Sequence, residues 1–151
     1  MEFNISKKPE KILCLDVGDK SLGIAISDSL QIIAQGISSV RFSSCSPDEK
    51  IAYVKKLISF YKVGKIVVGI PVDLKGKEGE QAKKTREFAN LLQKEVKVPV
   101  VFADERFTTL KAERLWRESK VNWRKKRKVK DKLAATILLQ DYLEAIRQKK
   151  P

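Results

Sequence analysis

Apolar and polar positions follow two rhythms along this chain. The run KILCLDV, Lys11 to Val17, is almost continuously apolar and reads as a buried strand. A Gly-containing turn leads into a second strand over 21–28, and Ile32 to Val40 gives a third, with Gly36 as its bulge or weak point. Ser46-Pro47-Asp48-Glu49 then announces a helix. Ser46 is its N-cap, Pro47 suits the first helical position, and Glu49 completes a capping box. Ile51, Val54, Ile58 and Tyr61 follow at helical spacing. Residues 65–71 form a fourth strand, Gly76 to Gly79 a loop, and 80–95 a helix with Ala82, Thr85, Ala89 and Leu92 on one face. A fifth strand covers 98–103, with Pro99 at its start or on an edge. The pattern ends with a helix over 109–118, a basic loop over 120–130, and an amphipathic helix over 131–147 that Asp131 opens.

The order βββαβαβαα, a hairpin-rich start followed by crossovers, predicts an α/β fold: a mixed sheet with helices on both faces. Right-handed crossovers put strands four and five parallel to strand one. Residues 1–10 read as a flexible lead-in without the apolar core of a secretory signal, and 11–147 as one domain. No apolar run approaches the ~18 residues of a spanning helix, so a cytoplasmic protein with no membrane partner is expected.

In such sheets ligands bind beyond the carboxyl ends of the parallel strands. Asp16 ends strand one, where a lone acid at the tip of a core strand is costly unless something binds it. Asp104-Glu105 end strand five, and Asp131 opens the last helix. Alternation puts Val101, Ala103 and Glu105 on one face and Phe102 and Asp104 on the other, which favours Glu105 as the acid facing the site. Each acid also has a plainer role open to it. Asp131 fits a helix cap, and Asp104 or Glu105 an ion pair with Arg106 or Arg114.

Composition narrows the chemistry. Histidine is absent, which removes Ser-His-Asp triads and His-ligated zinc. The two cysteines, Cys14 and Cys45, form no CxxC pair and no disulfide framework. Clustered carboxylates with Mg²⁺ or Mn²⁺ remain the best-supplied option, and they support phosphodiester displacement. The formal charge is +13, from 32 Lys and Arg against 19 Asp and Glu, and seven basic residues fall between Lys120 and Lys130 without an acid. Such clustering points to a nucleic acid, although a solvated basic surface is the bland alternative. Trp116 fits core packing; Trp123 fits either base stacking or plain exposure.

The motifs taken together resemble one family. Leu15-Asp16-Val17-Gly18-Asp19-Lys20 with Gly23-Ile24-Ala25-Ile26-Ser27-Asp28 is similar to the opening motif of the YqgF family. Val68-Gly69-Ile70-Pro71-Val72-Asp73 with Gly76-Lys77-Glu78-Gly79 resembles its second motif, and Asp104-Glu105-Arg106-Phe107-Thr108-Thr109 its third. Asp131-Lys132-Leu133-Ala134-Ala135, running on to Leu143, resembles its fourth. The resemblance implies a ribonuclease-H-like fold with five strands in the order 3-2-1-4-5, related to RuvC-type junction resolvases. It implies a metal-dependent nuclease of the bacterial cytoplasm, provisionally assigned to 5′-end maturation of pre-16S rRNA, with junction resolvase as an older label.

Carried over by motif, Asp16, Glu105 and Asp131 form the acidic, metal-holding site, with Lys20 and Arg106 beside it. Arg124, Lys125, Lys126, Arg127 and Lys128 then grip the flanking backbone. Two departures stand out. The first turn has Lys20-Ser21 where the family usually has Lys-Arg. Strand four ends in Gly69-Ile70-Pro71 where the resolvases place an acid, so Glu105 is expected to supply that ligand across the space Gly69 leaves. An RNA precursor is the favoured partner over a DNA junction, with a monomer or a weak homodimer as the expected state. A nucleic-acid-binding protein without catalysis is the third reading.

Overall fold

A strand with no polar position between Ile12 and Leu15 has to be covered on both sides, and it takes the centre of the sheet. The structure, a computed structural model, describes residues 10–72, 75–104 and 123–148, the last stretch by its backbone alone over 123–131. Strand β1 (Lys11–Val17) pairs antiparallel with β2 (Ser21–Ser27) and parallel with β4 (Val63–Ile70). On the outside, β3 (Ala34–Arg41) pairs antiparallel with β2, and β5 (Val100–Asp104) parallel with β4. The order is β3-β2-β1-β4-β5, as the family resemblance implied.

Alternation divides the side chains of β1 between two cores. Leu13 and Leu15 lie under α1 (Pro47–Tyr61) and α2 (Glu80–Glu95), packed with Val54, Phe88 and Leu92. Ile12 and Cys14 lie on the opposite face under α3 (Trp123–Gln148), packed with Ala135, Leu138, Leu139 and Leu143. Those α3 positions repeat every three or four residues, as one stripe of a helix must. Gly36 does mark a bulge: Ile24 pairs with Ser38 and Ala25 with Gly36, leaving Ile37 as the extra residue. Gly36 also allows a close approach, since a Cβ there would stand 2.6 Å from Thr136 Oγ1 and 2.8 Å from Lys132 Cγ.

Contacts to β3 fix the direction of α3. Gln140 accepts from the Ala34 amide at 2.9 Å and donates to the Ile32 carbonyl at 3.0 Å, at the start of β3. Thr136 and Lys132 sit further along, at Gly36. Both β3 and β1 run antiparallel to β2, so they run parallel to each other. Helix α3 therefore runs antiparallel to β1, and its first turns extend toward the end of the sheet where Asp16 stands. From Lys132 back to Trp123 the helix adds about 13 Å in that direction.

Two expectations are corrected here. Residues 123–130 are helical, and Asp131 lies inside α3 rather than opening it, so it is no helix cap. Arg and Lys are good helix formers, no Gly or Pro interrupts the stretch, and the apolar stripe further along anchors the helix. The capping box is also absent. Ser46 Oγ accepts from the Asp48 amide at 3.3 Å, but Glu49 turns away to accept from Ser43 Oγ at 2.7 Å. The Ser46 amide donates instead to Ser44 Oγ at 3.2 Å. The expected helix over 109–118 lies outside the described residues.

Gly36→Ala is expected to destabilise the fold by about 1–2 kcal/mol, as an overpacked contact does. The loss should shrink in a Thr136→Ala background, with urea denaturation of the four chains as the measurement.

Candidate active site

Asp16 is half-buried at the carboxyl end of β1, one residue past the Leu15–Val68 pair. It shares the face of Ile12 and Cys14, which is the face α3 covers. In the next strand the matching position is Gly69, which pairs in turn with Ala103 of β5. A carboxylate, a residue without a side chain and a residue with a methyl thus stand in one row across three parallel strands.

The end of β5 sorts its own residues by face. Val101 and Ala103 pack on the α3 side with Ile12 and Cys14. Phe102 turns the other way, and the Arg86 guanidinium of α2 lies 4.7 Å from its ring centroid. Strand alternation puts Asp104 on that same α2 side, away from Asp16. Arg86 also grips Glu78 through two bonds, Nε to Oε1 at 2.6 Å and the terminal nitrogen to Oε2 at 2.7 Å. That pairing holds the Glu78 carboxyl below its ordinary range and raises Arg86. Glu78 pairs with Val72, so the second motif folds back on itself beside β5.

Asp28, the last acid of the first motif, is an organiser of the chain rather than a member of the row. Its Oδ1 accepts from the amides of Ile32 at 2.8 Å and Ile33 at 2.9 Å. These amide bonds, Ile33's foremost, hold its carboxyl below the ordinary value. Gln31, with φ at 59°, completes the turn.

Of the residues singled out in the sequence, Asp16 and Lys20 are described together at the β1–β2 turn, with Lys20 exposed. Glu105 and Arg106 lie outside the described residues, and Asp131, Arg124, Lys125, Lys126, Arg127 and Lys128 are described by their backbone. The α3 backbone brings that basic stretch to the Asp16 end of the sheet. Trp116 is outside the description, and Trp123 begins α3. Among the described residues, no three His, Cys, Asp or Glu gather into a metal-binding group. The described part of the site still fits a hard divalent cation, because Asp16 offers carboxylate oxygen at a half-buried strand end. Sequence reasoning passed over Lys50. Its signal was available: a charged residue adjoining Ile51 and four before Val54, on the buried stripe of α1.

A mixed sheet of this order, with helices on both sides, defines the ribonuclease-H-like class. Over residues 10–145 the chain matches the model of a family described as RuvX: Holliday junction resolvase. The chain belongs to this RuvX/YqgF family. A relative from Caldanaerobacter subterraneus subsp. tengcongensis is 46% identical over 136 residues, covering 89% of this chain and 96% of its own; one from Clostridium novyi is 43% identical, covering 90% and 99%. Both bear the provisional name pre-16S rRNA nuclease. Among solved structures, RuvC of T. thermophilus in complex with a Holliday junction substrate superposes with a TM-score of 0.59 at 14% identity, covering 93% of this chain and 97% of that one. The fowlpox virus resolvase bound to junction DNA gives 0.56 at 14%, covering 90% and 98%. At these identities the likeness shows the fold.

The Asp28 geometry predicts a pH dependence. A carboxyl lowered on folding adds stability above its unfolded pKa, near 3.9, and loses it as pH falls through the folded value. Asp28→Asn should therefore lose less stability than the parent chain between pH 6 and pH 3, read as the shift in thermal midpoint.

Proposed function

We propose that this chain is a metal-dependent endonuclease that hydrolyses phosphodiester bonds, acting on a precursor of 16S ribosomal RNA in 5′-end maturation. The observation that supports this most directly is the row formed by Asp16, Gly69 and Ala103 on the face that α3 covers. It puts a carboxylate at the carboxyl end of the central strand, the edge where a cation and a phosphate would meet. The naming of relatives at 43–46% identity favours the ribosomal RNA precursor as substrate.

Asp16, Glu105 and Asp131 would hold Mg²⁺ or Mn²⁺. Such an ion, when bound, supplies Lewis-acid stabilisation of the charge that builds on the phosphate oxygens. Ala103 precedes Glu105 by two residues on the α3 side, and Asp131 lies beside Lys132 in the same covering helix. Lys20 and Arg106 would face the phosphate, and Arg124, Lys125, Lys126, Arg127 and Lys128 the flanking backbone, at the end of the sheet to which α3 brings them. Asp104, on the α2 side, is left out of the ligand set. No described helix is long and apolar enough to cross a membrane, and the protein would work in the cytoplasm as a monomer or a weak homodimer.

The family's description favours a second reading, four-way DNA junctions as substrate. Two symmetric cuts would then need a dimer.

The deciding experiment is cleavage of labelled precursor-rRNA fragments and four-way junctions, with Mg²⁺, with Mn²⁺ and with EDTA. Asp16→Asn and Glu105→Gln are expected to remain folded and to lose at least about 100-fold in rate, as an electrostatic contribution of this size would require. RNA cleavage that survives in Asp16→Asn would refute the assignment, and cutting confined to junctions would move it to the second reading.

Binding is expected to weaken steeply with salt. Replacing Arg124 to Lys128 by Gln should flatten the log–log slope by about 0.7 to 0.9 for each phosphate contact removed. An unchanged slope in fluorescence anisotropy would exclude the start of α3 from the interface.

A further inference from the structure

Three consecutive carbonyls follow Asp16, those of Val17, Gly18 and Asp19, and each accepts from a side chain on the α1–α2 side of the sheet. Gln81 Nε2 donates to the Val17 oxygen at 3.4 Å. Lys50 Nζ donates to Gly18 at 2.6 Å and to Asp19 at 2.7 Å. The Gly18 amide closes the turn on the Ser21 carbonyl at 2.9 Å. The strand end that bears Asp16 and the turn that bears Lys20 are thus tied from behind, on the face opposite Asp16 itself. Lys84, 3.6 Å from the Asp19 carboxylate, adds only an exposed and screened attraction.

Lys50 is an expensive choice for this place. It is only 4% exposed, beside the Phe88 ring at 5.9 Å, on a helix stripe that otherwise buries Ile51, Val54 and Leu57. Burial pushes its ammonium down from the ordinary lysine value, offset in part by Asp19 and Cys45. A methionine would fill the same volume without that cost. What methionine cannot do is donate to two adjacent carbonyls of a turn. Left without those donors, the carbonyls would turn toward water and take the strand end with them.

We propose that Lys50, with Gln81, is a positioning residue of the active site, fixing the β1–β2 turn so that Asp16 and Lys20 meet cation and phosphate at one set angle. The inference rests on the nuclease reading of Asp16. Displacements of an ångström at such a site cost up to about 100-fold in rate. Groups that orient a metal ligand from behind are worth about 10- to 100-fold in metal affinity or activity.

The test uses the full chain as wild type, Lys50→Met, Lys50→Arg, Gln81→Leu and Asp16→Asn. Mn²⁺ binding is read by electron paramagnetic resonance, amide exchange at Gly18 to Leu22 by NMR, and cleavage of a precursor-rRNA fragment as separate kcat and KM. Lys50→Met is expected to keep its far-UV circular dichroism, to exchange the turn amides at least about tenfold faster, and to bind Mn²⁺ about 10- to 100-fold more weakly. Its kcat should fall while KM stays within about twofold, and Lys50→Arg should recover part of both losses. A folded Lys50→Met with Mn²⁺ affinity and kcat within about twofold of wild type overturns the proposal. Should Lys50→Met not fold, Gln81→Leu decides by the same readouts. A wild type without any metal-dependent cleavage sinks the nuclease reading itself, and this inference with it; an active wild type with unaffected variants sinks the inference alone.

Discussion

The register of β1 against β4 is the constraint on which the candidate site depends. Leu13 and Leu15 are wholly buried on the α1–α2 side, Ile12 and Cys14 on the α3 side. A slip of one residue would exchange the two sets and move Asp16 to the opposite face. Each large aliphatic side chain contributes roughly 1.5–3 kcal/mol by burial, so Ile12, Leu13 and Leu15 misfitted in the wrong cores would outweigh any local preference of the carboxylate. The acid is therefore placed by its apolar neighbours. The same pairing aligns Gly69 and Ala103 beside it, and no loop has to be ordered for that row to exist.

Much of this was legible in the sequence, most plainly in β1 and β4, whose apolar runs leave little ambiguity. The five apolar runs, the turn before Ser21 and the Gly36 bulge all follow from residue type and spacing, and Ala82, Thr85, Ala89 and Leu92 do form the buried face of α2. Alternation along β5 sorts Ala103 from Asp104 in both readings, since period two is rigid once a strand exists. The failures have a common source. Ser46-Pro47-Asp48-Glu49 satisfies a capping-box pattern, yet Ser43 competes for the Glu49 carboxylate, and nothing in four residues reveals a donor three positions upstream. The place of Lys50 on the buried stripe of α1 was legible, but its partners were not, being carbonyls 31 and 32 residues away.

The basic stretch was misread through charge. Six like charges in seven residues, Arg124 to Lys128 and Lys130, look like a solvated loop, and Asp131 looks like the cap that ends it. Tertiary anchoring overrules both signals: the stripe from Ala135 to Leu143 holds the helix to the sheet, and the backbone continues upstream. The result is unfavourable for the helix considered alone. Cations crowd the end where the backbone dipole is already positive, and the first turn contains no acid to offset them. A polyanion at that end would relieve both penalties together. The helix direction, set by Gln140 and Gly36 far from the charges, brings that positive end to the Asp16 edge of the sheet.

Seen from β1, the turn after Asp16 has a different task on each face. On the α3 side it presents the half-buried carboxylate of Asp16, the proposed ligand of the cation. On the α1–α2 side its carbonyls are tied by Lys50 and Gln81. The two demands conflict in a short hairpin. The acid stands at the very end of its strand, and the turn beyond it runs through two exposed residues, Asp19 and Lys20. Apolar packing cannot resolve this, because it grips side chains and leaves carbonyl orientation loose. Hydrogen bonds to the backbone do fix orientation, and an ammonium on a long stem is the side chain that reaches two neighbouring carbonyls from inside a helix–helix core. The buried cation of α1 and the half-buried anion at the end of β1 are then two halves of one arrangement, related through a single peptide turn.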